Sequence, residues 1–276
     1  MDRHDLPIGV FDSGMGGLTV LRALTSQLPR ESFLYLGDTA RLPYGVKSAN
    51  SVRRYAEQAS AFLVRRGVKM LVVACNTVSA VALDDLRQRL APLPVVGVIE
   101  PGARAACRAS VSGVILVLGT ERTVAEGAYE KAIASVSPGA RVRSRACAVF
   151  VALAEEGWFD DVAAEVVARQ YLAGWEQGMG EGTDCVVLGC THFPVLRGTI
   201  SRVVGRQIAI VDSASSTAAA VASRLARDGR SARRTQLGTV ELMATDAAAR
   251  FARVGARFLG RVLEPGEVEL VDLGVR

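Results

Sequence analysis

Short apolar runs alternate with amphipathic stretches along almost the whole of this chain, and no other feature restricts its fold as strongly. Strands are expected at 7–12, 32–37, 69–75, 94–99, 114–119, 141–146, 184–190, 207–212, 239–244 and 267–272. Helical patterns lie between them near 16–27, 48–66, 78–90, 101–109, 123–135, 160–177, 195–204, 214–228 and 246–259. A strand that is apolar on successive residues is buried on both faces, and such strands interleaved with helices build parallel sheets. The fold class is therefore α/β.

With 276 residues the chain suits one large domain or two modest ones, each with its own core. Its halves look like diverged copies. The strand and turn at Val10-Phe11-Asp12-Ser13-Gly14 are echoed by Leu116-Val117-Leu118-Gly119-Thr120. Each is followed later by an apolar run that closes on cysteine: Leu71-Val72-Val73-Ala74-Cys75 in one half, Val186-Val187-Leu188-Gly189-Cys190 in the other. The pattern predicts two pseudo-symmetric lobes, each a mainly parallel sheet flanked by helices, with an active site in the cleft between them. There is no low-complexity linker, so short crossings are expected near Ile99–Pro101 and Val211–Ser213.

Open α/β sheets bind ligands at the carboxyl ends of their strands. Cys75 and Cys190 stand at two such ends, followed by Asn76-Thr77 and Thr191-His192. There the next helix's N-terminus can stabilise a thiolate. Two thiols aimed at one molecule from opposite sides form the acid/base pair that inversion at a carbon centre by proton transfer requires. On spacing alone, two inert buried cysteines are the alternative. His192, the only histidine besides His4, reads either as a satisfied structural residue or as a proton shuttle for Cys190. Asn76, Thr77 and Thr191 offer hydrogen-bonding groups suited to an amino or carboxylate group.

The segment Asp12-Ser13-Gly14-Met15-Gly16-Gly17 follows a strand and opens a helix, so its glycines permit close approach of an anion. It matches neither GxGxxG nor GxxxxGK[ST], which disfavours a nucleotide phosphate and suits a carboxylate better. Asp12 also reads as a plain N-cap. Gly37-Asp38 and Pro43-Tyr44-Gly45 bracket a loop that by itself is ordinary turn chemistry.

Other classes are disfavoured. Five cysteines at 75, 107, 147, 185 and 190 lack metal-type spacing, and two histidines are too few for a zinc site. Free thiols fit a reduced, cytoplasmic compartment, and Cys107, Cys147 and Cys185 read as small buried hydrophobes. The net charge of +5 has one local cluster, Arg224 to Arg234, without interleaved aromatics. It reads as a solvated helix end and loop, not a nucleic-acid surface. The start has no apolar leader core and no run approaches membrane-spanning length, so no membrane partner is expected.

Taken in order, Asp12-Ser13-Gly14-Met15-Gly16-Gly17-Leu18-Thr19, Gly37-Asp38, Pro43-Tyr44-Gly45, Ala74-Cys75-Asn76-Thr77, Gly97-Val98-Ile99-Glu100-Pro101, Leu188-Gly189-Cys190-Thr191-His192 and Val211-Asp212-Ser213 resemble the glutamate racemase family. The resemblance spans about residues 7–215. It implies a second lobe, 99–210, inserted into a first lobe made of 1–98 plus 211–276. It implies a cofactor-independent isomerase, without pyridoxal phosphate or metal, whose small-molecule substrate is L- or D-glutamate. Cys75 would remove the α-proton of D-glutamate and Cys190 that of L-glutamate. Asp12 would assist Cys75; His192 would assist Cys190 with support from Glu155. Asp12, Ser13, Tyr44, Gly45, Asn76, Thr77, Thr191 and His192 would hold the substrate. The product D-glutamate would serve peptidoglycan synthesis, and with it cell wall biogenesis and cell shape. Three features depart from the family pattern: Phe193 stands for a tyrosine, Glu126 for a serine ahead of Tyr129, and Ala148 and Ala152 lie where prolines are expected. An aspartate or hydantoin racemase, or a non-catalytic ligand-binding module, would share the two-lobe cleft. Oligomeric state, including a homodimer, and activation by a cell-wall precursor are not legible.

Overall fold

The computed structural model describes residues 4–174 and 181–274. Strands β1 (Ile8–Asp12), β2 (Phe33–Gly37), β3 (Met70–Val73) and β4 (Val95–Gly97) precede β5 (Val114–Gly119), β6 (Arg141–Ala146), β7 (Cys185–Gly189) and β8 (Ala209–Asp212). β9 (Val240–Ala244) and β10 (Val268–Leu270) complete the set. They form two sheets, β10-β9-β2-β1-β3-β4 and β6-β5-β7-β8, and every pairing is parallel. The order β2-β1-β3-β4 in one is the order β6-β5-β7-β8 in the other. The central strands β1, β3, β5 and β7 are buried along their whole length, as continuous apolar runs require. β6, with arginines at 141, 143 and 145, is an edge strand, where charge discourages pairing with another chain.

Helices α1 (Leu18–Gln27), α2 (Ala49–Arg65), α3 (Asn76–Leu90), α4 (Ile99–Ala109), α5 (Glu121–Ala125) and α6 (Ala128–Val136) are followed by α7 (Val149–Glu156), α8 (Val162–Tyr171), α9 (Arg197–Val204), α10 (Ser213–Arg227) and α11 (Ala248–Leu259). The two chain crossings lead into helices that exchange sides. α4 leaves β4 of the larger sheet and packs on α6, β7 and β8, whereas α10 leaves β8 of the smaller sheet and packs on α1. α4 and α10 also pack on each other. One apolar core therefore runs through both lobes, from Leu18 and Val98 to Ile115, Tyr129 and Val187. Among the described residues, no helix is long and apolar enough to cross a membrane.

Several elements differ from the sequence-based expectation. The pattern at 123–135 is two helices, broken where Gly127 takes φ +60°. α7 was not expected; Ala148 and Ala152, in place of prolines, leave its backbone donors intact. α4 begins at Ile99, ahead of Pro101, which lies in the first turn where its missing N–H costs nothing. The helix expected over 160–177 is α8, which ends earlier, at Tyr171; positions 175–177 of the expectation lie outside the described residues. The Arg224–Arg234 segment is not simply solvated. Arg230 donates to Lys69 O at 3.1 Å and Arg234 to Ser32 Oγ at 2.7 Å, tying the segment to the amino ends of β2 and β3.

Candidate active site

The two sheets bring Cys75 and Cys190 to one cavity. Cys75 is the N-cap of α3, just past β3, and Cys190 follows β7 directly. The cavity is also lined by Ser13, Gly14, Tyr44, Gly45, Asn76, Thr77, Thr120, Val151, Glu155, Thr191 and His192. Its volume is about 40 Å³, room for a few waters but not for an amino acid. The lobes are closed on it.

The first lobe supplies Ser13, whose Oγ lies 3.4 Å from Cys75 Sγ. Asp12 stands behind, fully buried and outside the cavity wall. Its Oδ2 accepts from Gly14 N at 3.0 Å, while Oδ1 has no partner. No side chain caps α1, so Asp12 closes the loop instead of the helix. Gly17 is required there, because a Cβ would lie 2.5 Å from Asp12 Cβ. Burial raises the Asp12 carboxyl, against the opposing influence of His192 and three backbone amides. Burial and the Asp12 charge push the Cys75 thiol up to about 12, although Ser13 and the Val78 amide oppose the shift. The pair therefore holds at least one proton at neutral pH.

The second lobe presents a different arrangement. Cys190 Sγ faces His192 Nδ1 at 3.8 Å, and His192 Nε2 faces Glu155 Oε1 at 3.1 Å. Burial would lower the imidazolium, but contacts with Cys190 and Glu155 outweigh it and hold His192 at about 10. Burial would raise Glu155; the hydrogen bonds from His192 and Arg250 hold it below its ordinary range. The imidazole fits against the first lobe only because residue 16 is glycine, where a Cβ would meet Nδ1 at 2.4 Å.

Around the thiols lie polar groups from both lobes. Tyr129 donates to Asn76 Oδ1 at 2.8 Å, leaving Asn76 Nδ2 buried without a partner on the cavity wall. The hydroxyls of Thr77, Thr120 and Thr123 lie within 2.9–3.3 Å of one another. Tyr44 turns its hydroxyl away from the cavity to Asp38, which Arg41 and Thr245 also hold, at 2.7 and 2.9 Å. Sequence reasoning missed Thr120, Thr123, Tyr129 and Arg250. Thr120 had a signal: it follows β5 as Ser13 follows β1. The three departures lie off the cavity. Phe193 packs edge-on against Phe150 with ring centres 5.4 Å apart, in an apolar cluster that has no use for a hydroxyl. Glu126 pairs with Arg122, and Ala148 and Ala152 belong to the start and body of α7. Cys147 and Cys185 are fully buried, their thiols pushed up to about 12 mainly by that burial. Among the described residues, no group of three His, Cys, Asp or Glu is placed to hold a metal ion.

Residues 8–221 match the Asp/Glu/Hydantoin racemase family model. The chain belongs to that family. Among curated Asp/Glu/hydantoin racemase relatives, a glutamate racemase of Geobacter metallireducens is 50% identical over 267 residues, covering 96% of each chain. The glutamate racemase of Thermus thermophilus, solved with β-chloro-D-alanine, superposes with a TM-score of 0.86 at 42% identity and 98% coverage of both chains. That of Francisella tularensis, solved with D-glutamate, gives 0.89 at 32% identity, again over 98% of each. Racemases of this family are isomerases, and the α/β fold in two parallel sheets is shared with these structures.

Proposed function

We propose that the protein is a glutamate racemase that moves the α-proton between Cys75 and Cys190, with the lobes divided near residues 99 and 211. The observation that carries this reading is the pair of thiols, delivered from equivalent strand ends of two sheets to one closed cavity. In the L-to-D direction the Cys190 thiolate takes the α-proton, and the electron pair of that C–H bond passes to the α-carbon. The Cys75 thiol then donates its proton to the opposite face. The reverse direction exchanges the two roles. A protonated imidazole beside a sulfur supports a thiolate, which assigns His192, held by Glu155, to Cys190. Asp12 serves Cys75. Because burial and the Asp12 charge raise that thiol to about 12, the substrate's α-ammonium, brought into the cavity beside Cys75, is what makes it usable as a base in the D-to-L direction.

A carbanion formed without an electron sink needs fixed donors in a dry site. Asn76 Nδ2, the threonine hydroxyls and the backbone amides around Ser13, Tyr44-Gly45 and Thr191 are the donors available. In the cell the product D-glutamate would supply peptidoglycan synthesis in the cytoplasm. The test follows optical rotation and α-hydrogen exchange of D- and L-glutamate in D₂O, with L-aspartate and a hydantoin in parallel. Glutamate turnover is expected, with Cys75→Ala and Cys190→Ala each abolishing it; Cys→Ser should fail too, since a hydroxyl is too weak an acid to serve. Turnover in both directions with either thiol removed would end the two-base assignment. Faster turnover of aspartate or hydantoin would move the protein to another branch, and no exchange at all would leave a binding module.

A further inference from the structure

Helix α11 belongs to the first lobe: it follows β9 of the six-stranded sheet and packs on α1 and β10. Three of its side chains nevertheless end on the second lobe, around His192. Phe258 stands edge-on to the imidazole with ring centres 5.1 Å apart. Arg250 Nη2 donates to Glu155 Oε2 at 2.8 Å, while the other carboxylate oxygen, Oε1, meets His192 Nε2 at 3.1 Å. Arg257 Nη1 donates to the Glu155 carbonyl at 2.5 Å, an acceptor in the last turn of α7 that has no partner within that helix. Arg250 and Arg257 lie two turns apart on one face.

A carboxylate that accepts from an imidazole through one oxygen only can rotate about its bond to the side chain. Clamping the second oxygen stops that rotation. We propose that Arg250 is a positioning residue for the Cys190 half of the reaction: from the opposite lobe it sets the Glu155 carboxylate so that Oε1 holds His192 Nε2 and Nδ1 is left to Cys190. The proposal rests on the assignment of Cys190 as the base for L-glutamate. Arg250 is 44% exposed against 10% for Glu155, so the ion pair adds little to stability and its worth lies in orientation. On the Cys75 side, Asp12 is held instead by backbone amides of its own loop. The series Cys190, His192, Glu155, Arg250 is also complete only while the lobes are closed, which confines proton transfer at Cys190 to the closed state.

The test compares wild type, R250K and R250M in both directions, with α-protio and α-deuterio glutamate, alongside ¹⁵N-histidine spectra. The chain has only His4 and His192, so the His192 ring nitrogens are resolved directly. In R250M, kcat from L to D should fall on the order of tenfold, as for other residues that orient a reacting ligand from behind. The isotope effect in that direction should rise; because the equilibrium constant is unity, kcat/KM stays equal in the two directions, so the directional difference is read in kcat and in the isotope effects. The opposite direction should change less, R250K should recover part of the loss, and the His192 signals should move in R250M. Equal losses in both directions with unmoved His192 signals, or no loss, would overturn the proposal; if R250M folds poorly, R250Q is read in the same way. A wild type that racemises nothing would instead count against the assigned reaction, and the spectra would still decide whether Arg250 sets the imidazole.

Discussion

Asp12 shows what the proposed site does to stability. Its carboxyl is fully buried, one oxygen has no partner, and its pKa is raised above 3.8 by that burial. In the unfolded chain the group ionises near 3.8, whereas the folded protein resists ionisation. Folding therefore takes up a proton, and the contribution of Asp12 is best below 3.8 and is lost as pH rises through the folded value. Asparagine keeps the acceptor for Gly14 N and carries no charge to bury. Asp12→Asn should raise Tm at pH 8, with each kcal/mol gained worth about 2–4 °C, and the gain should vanish towards pH 3 while racemisation is largely lost. A variant less stable than wild type at pH 8, followed by thermal unfolding across pH, would contradict the burial argument.

Among the elements, α6 and α3 come from different lobes and meet through one hydrogen bond, Tyr129 Oη to Asn76 Oδ1. Tyr129→Phe leaves a buried carbonyl oxygen unpaired, at a cost of about 1–3 kcal/mol, and frees the Asn76 amide to flip. KM for glutamate should rise about tenfold, the equivalent of roughly 1.4 kcal/mol, with kcat less affected; steady-state kinetics and an unfolding curve read both, and an unchanged KM would exclude the orienting role. This bond also marks the limit of what the chain reveals linearly. The central strands were the most legible, because β3, β5 and β7 are wholly apolar, β1 is apolar up to Asp12, and all four are buried along their length. α7 was not, since Val149-Phe150-Val151-Ala152-Leu153 is a short apolar run with no helical period to read. Cys75 and Cys190 were legible because a strand end places them. Tyr129 and Arg250 were not, because each reaches its partner across the gap between lobes, and no spacing rule encodes a contact 53 or 95 residues away.

For the molecule as a whole, a cavity of about 40 Å³ means that an amino acid enters only after the lobes part. Closure depends on small residues where the lobes touch. At Gly45 an added Cβ would lie 2.8 Å from Thr120 Cβ, side chain against side chain across the cleft. Gly45→Ala should hold the lobes slightly apart and cost on the order of 10²-fold in kcat/KM, the usual consequence of misplacing reacting groups by about 1 Å. Hydrogen exchange should then show less protection of residues 120–123 with glutamate bound than in wild type. Wild-type activity and protection in this variant would mean that the contact yields freely.

The strand order has a consequence for how the chain is made. β2, with the sequence FLYLG, lies between β1 and β9, so one edge of it waits for residues 240–244. The smaller sheet, complete at Asp212, can assemble first. At 5–20 residues per second, the roughly 200 residues between β2 and β9 leave that edge bare on the ribosome for about 10–40 s. An uncovered apolar edge is a template for the wrong partner. Nascent chains that stop before Val240 would therefore leave β2 exposed on the side where β9 belongs.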